Sequence, residues 1–272
     1  MVIALHSSGA GAGQWRELGE LLAPDWELVA PEHYGCDSVG AWTGQHRFTL
    51  ADEAARTVAL IDQADRKVHL VGHSYGGGVA LRVAIERPDR IASLALYEPS
   101  AFHLLGAMGP SGASALAELT AIVDATGKGV LSGDYRGAAA AFVDYWNGKG
   151  AWDALRPGVR SRLTRWAPKV SLDFRALIEE PTPVSTYADL AFPILIMRGE
   201  HAPPPTRVIA ENLPAHLTDA RLEVIAGAGH MGPLTHAGEV NALIARHIGE
   251  TEATLHPEQQ HRPRGGMWIA AA

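Results

Sequence analysis

Ser74 stands in Gly72-His73-Ser74-Tyr75-Gly76, where the apolar run Val68-His69-Leu70-Val71 meets a helix-forming stretch, Val79 to Arg87, that Pro88 closes. A serine hydroxyl attacks a carbonyl only when it is held clear of its neighbours and beside a base. A sharp strand-to-helix turn with small flanking residues provides this. Gly72 and Gly76 leave such a turn uncrowded, so the pattern predicts a strand, an elbow presenting Ser74 as nucleophile, and a helix. A solvated serine in a glycine-rich loop would need neither the strand before it nor the helix after it.

The serine proton requires an imidazole, and the imidazole requires a carboxylate that fixes its tautomer. The chain has thirteen histidines, so position must choose among them. His230 follows the last predicted strand in Ile225-Ala226-Gly227-Ala228-Gly229-His230-Met231-Gly232-Pro233, a flexible loop able to reach the elbow, and this order of serine before histidine selects it as the base. His33 and His236 are weaker candidates, as are His6 and His73. His6, Ser7, His73 and Trp146 are expected to line the substrate pocket. No pair of histidines has helical zinc-ligand spacing with a supporting carboxylate, so neither a metal nor a cofactor is expected. Gly9-Ala10-Gly11-Ala12-Gly13, with Glu32 downstream, also suggests a dinucleotide loop, but Gln14 occupies the place of the third glycine in that fingerprint.

The elements that must position these residues alternate. Strands are predicted at Met1 to Leu5, Trp26 to Ala30, from Val68 to the elbow, and at Ile91 to Tyr97. Thr49-Leu50-Ala51-Asp52 matches a helix-start capping pattern, with the helix running to about Gln63. Strands resume at Phe192 to Met197 and Arg221 to Ile225, and a last helix is read from about His236 to Ile248. The intervening stretch has no convincing strand. Ala115 to Thr126 and Gly137 to Trp146 read as helices, and Phe142, Tyr145, Trp146, Trp152 and Trp166 as their packing. The expected fold is α/β, a mostly parallel sheet flanked by helices. Residues 1–99 and 191–249 form its core, residues 100–190 a helical cap, and residues 250–272 a mobile tail in which Met267-Trp268-Ile269 could dock.

At 272 residues the chain suits one such domain with an insertion. No apolar run is long enough to cross a bilayer, Met1 to His6 lack a basic leader, and Cys36 is the only cysteine. A soluble cytoplasmic protein without disulfides is therefore expected. The net charge of −7 is interspersed, with no basic stripe, which argues against nucleic acid and for a small, largely uncharged partner. Nothing in the sequence sets the oligomeric state.

Leu5-His6-Ser7-Ser8-Gly9 leading to Trp15 resembles the His-Gly loop of the α/β-hydrolase family, and Pro31-Glu32-His33-Tyr34-Gly35-Cys36-Asp37-Ser38 resembles its Pro-Asp-x-x-Gly-x-Gly-x-Ser segment. Gly72 to Gly76 and Gly229-His230 are similar to its two catalytic turns, so the resemblance covers nearly everything up to about residue 249. It implies the α/β-hydrolase fold with a helical cap, and an oxyanion held by the backbone N–H groups of Ser8 and Tyr75. Ser7 departs from the family's glycine. The usual aspartate after the penultimate strand is also missing, because Gly199-Glu200-His201-Ala202-Pro203 has Ala202 there. Some relatives, haloalkane dehalogenases among them, carry the acid just after the strand that follows the elbow, where this chain has Tyr97-Glu98-Pro99. The resemblance thus implies Glu98 as the acid, with Glu200 the fallback and an acid-less dyad after that.

The expected activity is a cofactor-free serine hydrolase that cleaves a small, largely uncharged carboxylic ester through an acyl-enzyme. The alternatives are a carbon-carbon bond, lactone or thioester hydrolase on the same residues, a perhydrolase, or a non-catalytic small-molecule-binding protein of the same fold. Serine in the nucleophile position argues against dehalogenase or epoxide hydrolase chemistry.

Overall fold

A computed structural model describes residues 1–23 and 25–257 and the backbone of Trp268–Ala271. The strands are β1 (Val2–Leu5), β2 (Leu28–Pro31), β3 (Val68–His73), β4 (Ile91–Tyr97), β5 (Ile194–Gly199), β6 (Ala220–Ile225) and β7 (Trp268–Ala271). They form one sheet in the order β6-β5-β4-β3-β1-β2-β7, and every pairing is parallel. A parallel sheet with helices on both faces buries its strands on both sides, which is why these segments are near-continuous apolar runs with little alternation. Successive residues nevertheless enter different cores. Ile3, Leu70, Leu94 and Ile194 join one cluster, while Ala4, Val71, Ala95 and Leu195 join the other.

Helices α1 (Arg16–Leu22), α2 (Leu50–Gln63) and α3 (Tyr75–Glu86) connect the first four strands. The capping box expected at Thr49 is present: the Asp52 N–H donates to the Thr49 hydroxyl, and the Thr49 N–H donates to the Asp52 carboxylate at 2.8 Å. Between β4 and β5 lie α4 (Gly109–Ser132), α5 (Tyr135–Asn147), α6 (Ala151–Ala154) and α7 (Pro157–Ile178), with no strand among them. Gly133 in the left-handed region (φ 80°) stops α4, and the Asp134 carboxylate caps α5 at Gly137 N. Ala138, Ala139, Val143, Trp152 and Ala167 give these helices a small core of their own.

The chain then returns to the sheet. Helix α8 (Pro204–Asn212) starts on prolines, which the first helical turn accepts because its N–H groups have no intrahelical acceptor. Two further helices, α9 (Gly232–Thr235) and α10 (Ala237–Leu255), follow β6. Residues of α1 and α10 pack on one face of the sheet, and residues of α2, α3 and α8 on the other.

The segment from residue 250, read as a mobile tail in which Met267-Trp268-Ile269 could dock, is described at both of its ends. Helix α10 continues to Leu255, with Thr251 buried and its hydroxyl bonded to His247 O. Trp268–Ala271 add to the sheet beside β2, with Leu28 opposite Trp268 and Pro31 opposite Ala271. An uncovered β2 would leave a row of unpaired backbone groups, which β7 pairs. Residues 258–267 and 272 of that segment, Met267 included, lie outside the described residues. Among those that are described, no helix is long and apolar enough to cross a membrane.

Candidate active site

Ser74 follows β3 directly and precedes α3 with φ 54° and ψ −118°, a conformation that side chains disfavour. Its N–H donates to Tyr97 O at 3.0 Å, and its carbonyl accepts from the N–H groups of Gly77, Gly78 and Ser100. The flanking glycines are required by close approach. A Cβ on Gly72 would lie 2.6 Å from Gly76 O, and one on Gly76 would lie 2.5 Å from His6 O. The elbow is therefore pressed against the first loop, and its hydroxyl faces out of the sheet.

Three distant segments meet there. His230 Nε2 is 2.9 Å from Ser74 Oγ, and His230 Nδ1 is 2.7 Å from Glu98 Oε2. With Nδ1–H donating to the carboxylate, Nε2 is left to accept the serine proton. Glu98, fully buried at the end of β4, also accepts from Gly199 N at 3.0 Å and from the Thr206 hydroxyl at 2.8 Å. Side chains pin the loop backbone at His230 and just before it: His73 Nε2–H donates to His230 O at 2.8 Å, and the Tyr97 hydroxyl donates to Gly229 O at 2.7 Å. Burial, followed by the nearby His230, pushes the His73 pKa well below its ordinary value, so His73 is neutral. The Trp146 ring lies 4.4 Å from the His230 ring at 31°.

Glu200 is not part of this chain of bonds. It is exposed and accepts from Gly227 N at 2.9 Å, while Ala202 is buried and offers no oxygen. His33 bonds to His6 O through its ring at 3.0 Å, and His236 bonds to Thr235.

Two cavities meet at Ser74. The larger, about 300 Å³, is lined by His230, Trp146 and Ser7 together with apolar side chains of α5 and α7. The smaller, about 20 Å³, is lined by Ser8, Tyr75 and Ser100 among others. Of the four residues read as pocket-lining, Ser7 and Trp146 line the larger cavity, whereas His6 and His73 line neither. Both are fully buried beneath the loops, because their ring nitrogens are engaged with backbone groups and Glu32. Glu32 also accepts from Ala12 N, which binds it to the glycine-rich first loop and away from any dinucleotide role.

The side chains of Ser8 and Tyr75 converge on a buried polar network that the sequence does not announce. The Ser8 hydroxyl donates to Asp173 Oδ2 at 2.6 Å and accepts from Trp166 Nε1 at 3.0 Å. The Tyr75 hydroxyl donates to Glu53 Oε2 at 2.8 Å, and Lys169 Nζ reaches Glu53 at 2.9 Å, the Tyr75 hydroxyl at 3.3 Å, and Asp173. Burial acts to raise the Glu53 carboxyl, but the Lys169 ammonium and His33 outweigh it and hold Glu53 ionised; at Asp173 burial wins and the pKa is raised. Lys169 and Asp173 sit four apart on α7, a spacing that reads as a surface ion pair until the helix is seen lying on the core. Gln14, singled out in the sequence only for breaking the dinucleotide fingerprint, has a further role: its side-chain oxygen accepts from both the N–H and the hydroxyl of Ser7 and braces that loop.

Among the described residues, the groups gathered with metal-ligand chemistry are His6, Glu32 and Cys36, whose ligand atoms lie within 4.8 Å of one another. Burial opposes ionisation of Glu32, but hydrogen bonds from His6, Cys36 and Ala12 N hold it at about 2. Burial and that carboxylate push the Cys36 thiol up.

A parallel sheet with a serine elbow and a histidine loop at the carboxyl ends of its strands defines a hydrolase architecture, and residues 2–243 match the alpha/beta hydrolase family. The chain belongs to that family and is an enzyme with the expected fold. It is 28% identical to lipase LipV of Mycobacterium tuberculosis over 271 aligned positions, which cover 91% of this chain and 93% of that protein. It is 32% identical to 2-hydroxy-6-oxo-6-phenylhexa-2,4-dienoate hydrolase of Burkholderia cepacia over 102 positions, 36% of each chain. Among solved structures, a thermophilic esterase from Thermogutta terrifontis shares the fold, with a TM-score of 0.67 at 18% identity over 92% of this chain and 89% of that one.

Proposed function

We propose that the chain is a serine hydrolase of small, largely uncharged carboxylic esters, acting through an acyl-enzyme on Ser74. The observation that carries this reading is the unbroken run of hydrogen bonds from Ser74 Oγ through His230 to the buried Glu98, at the floor of a cavity walled mainly by apolar side chains. Ser74 Oγ attacks the ester carbonyl while His230 Nε2 takes its proton, and Glu98 holds the imidazole in place and stabilises its positive charge. The developing oxyanion is held by the N–H groups of Ser8 and Tyr75. Tyr75 is the first residue of α3, so its N–H has no partner within the helix and faces developing negative charge. His230 passes its proton to the departing alkoxide, then activates the water that releases the acid and frees Ser74.

The test is labelling with a fluorophosphonate probe together with turnover of p-nitrophenyl esters. Stoichiometric labelling that disappears in Ser74→Ala, with turnover lost in parallel, supports the hydrolase. An unlabelled protein that turns over no ester and binds a small apolar molecule tightly would instead be a receptor built on the same fold.

A further inference from the structure

We propose that the site is divided by size, so that it accepts only short acyl groups, of acetyl to propionyl length, esterified to bulky apolar alcohols. This rests on the assignment of Ser74 as the nucleophile and goes on to name the substrate class.

The argument starts from where the proton must go. The imidazole that takes the serine proton also returns one to the leaving oxygen, so the alcohol must lie on the His230 side of Ser74. Only the larger of the two cavities is walled by His230 and by its neighbours Met231 and Leu234. The remaining walls of that chamber include Val143, Leu155, Val159 and Leu163, a surface suited to an apolar alcohol of aromatic or branched type. The acyl carbon stays bonded to Ser74 with its oxygen at Ser8 and Tyr75. Its substituent therefore points into the other chamber, which contains Tyr75 and Ser100 and is not lined by His230.

That chamber measures about 20 Å³, enough for one or two non-hydrogen atoms. Its walls have little room to retreat. Phe102, Phe174 and Leu177 are all buried in the main core. Phe102 stacks on Trp146 with ring centroids 6.2 Å apart and planes 13° apart, and Trp146 in turn rests against His230 and borders both chambers. Asp173 also lines the small chamber, with its carboxyl committed to Ser8 and Lys169, so an acyl chain ending in a second carboxylate is disfavoured.

The experiment uses the full chain and two substrate series. With p-nitrophenol fixed as leaving group, kcat/KM is expected to fall about tenfold to a hundredfold from acetate to octanoate, the scale of forcing extra methylenes into a packed core. With acetate fixed, kcat/KM is expected to rise from methyl to benzyl to naphthylmethyl esters. Leu177→Ala widens the small chamber without touching Ser74, His230 or Glu98, and should raise the octanoate-to-acetate ratio about tenfold. If that variant fails to fold, the wild-type series still decides. A flat or rising acyl series, in a protein whose Ser74 still takes the fluorophosphonate, overturns the division of the site and leaves the hydrolase reading intact. Absence of both labelling and turnover overturns the two together.

Discussion

Ser74 and Glu98 directly follow neighbouring parallel strands, and among the described residues they are the two non-glycine positions with positive φ, 54° and 43°. Each such departure costs on the order of 1–3 kcal/mol and persists where surrounding bonds over-determine it. Ser74 N–H to Tyr97 O at 3.0 Å and Glu98 N–H to Met197 O at 2.8 Å are bonds of this kind. The turns aim both side chains at one imidazole. Glu98→Gln should therefore lower kcat about a hundredfold to ten-thousandfold, the scale of replacing a buried triad carboxylate by its amide, with little change in KM. Glu200→Gln should stay within about twofold of wild type, because that carboxylate serves a backbone N–H at the surface. Steady-state kinetics on p-nitrophenyl acetate compare the two, and the reverse ranking would make Glu200 the acid.

Tyr97→Phe removes the hydroxyl that pins Gly229 O while keeping the ring in the core. Gly229 O keeps the N–H of Gly232 at 3.0 Å, so a stability loss of about 0.5–1.5 kcal/mol, the net worth of one hydrogen bond, is expected. The rate of fluorophosphonate labelling should fall several-fold as His230 loses its fixed position. Unchanged labelling would show that the bonds left to His73 and to the Gly232 N–H suffice to hold the loop.

Lys169→Met leaves Glu53 and Asp173 facing each other without their cation, and should cost about 3–5 kcal/mol. Adding Glu53→Gln should recover much of that loss, since an amide keeps one oxygen to accept from Tyr34 N while its NH2 donates to the Tyr75 hydroxyl oxygen. Chemical denaturation of the single and double variants measures the coupling, and additive losses would mean the three groups act independently.

Acid should weaken the fold before it protonates the carboxylates. Burial lowers His103 to about 4, and burial aided by Arg221 lowers His247 to about 4. Above pH 6.5 neither group binds a proton in the folded or the unfolded chain, so neither affects stability there. As the pH falls from 6.5 towards 4 the unfolded chain takes up protons that the native state refuses, and stability declines by up to roughly 3 kcal/mol for each. Denaturation midpoints measured between pH 7 and 4.5 should show this slope, and His103→Gln should flatten part of it.

Much of the geometry of the candidate site was legible because its requirements are local. An apolar run, two glycines around Ser74 and a helix-forming stretch specify an elbow without knowledge of the remaining chain, and a glycine-rich loop after a strand marks His230. Glu98 was reachable only through resemblance, since a glutamate at a strand end has no distinguishing pattern of its own. Helices α1 and α8 were passed over, the first beside a glycine-rich loop and the second behind Pro203, Pro204 and Pro205, which read as chain breaks. Helix α7 was passed over too, with Pro168 inside it. The Lys169 network and the brace from Gln14 depend on which surfaces touch, and periodicity along one helix or loop carries no information about that.

Helix α7 lines the substrate chamber with Leu163 and, one turn and a half further on, drives Lys169 into a dry ion pair with Glu53 of α2. Pulling α7 away would strand charges at a cost of several kcal/mol, so this part of the roof is riveted to the floor. The larger cavity beside Leu163 therefore keeps its width, which becomes a sieve acting on every molecule before any bond is broken.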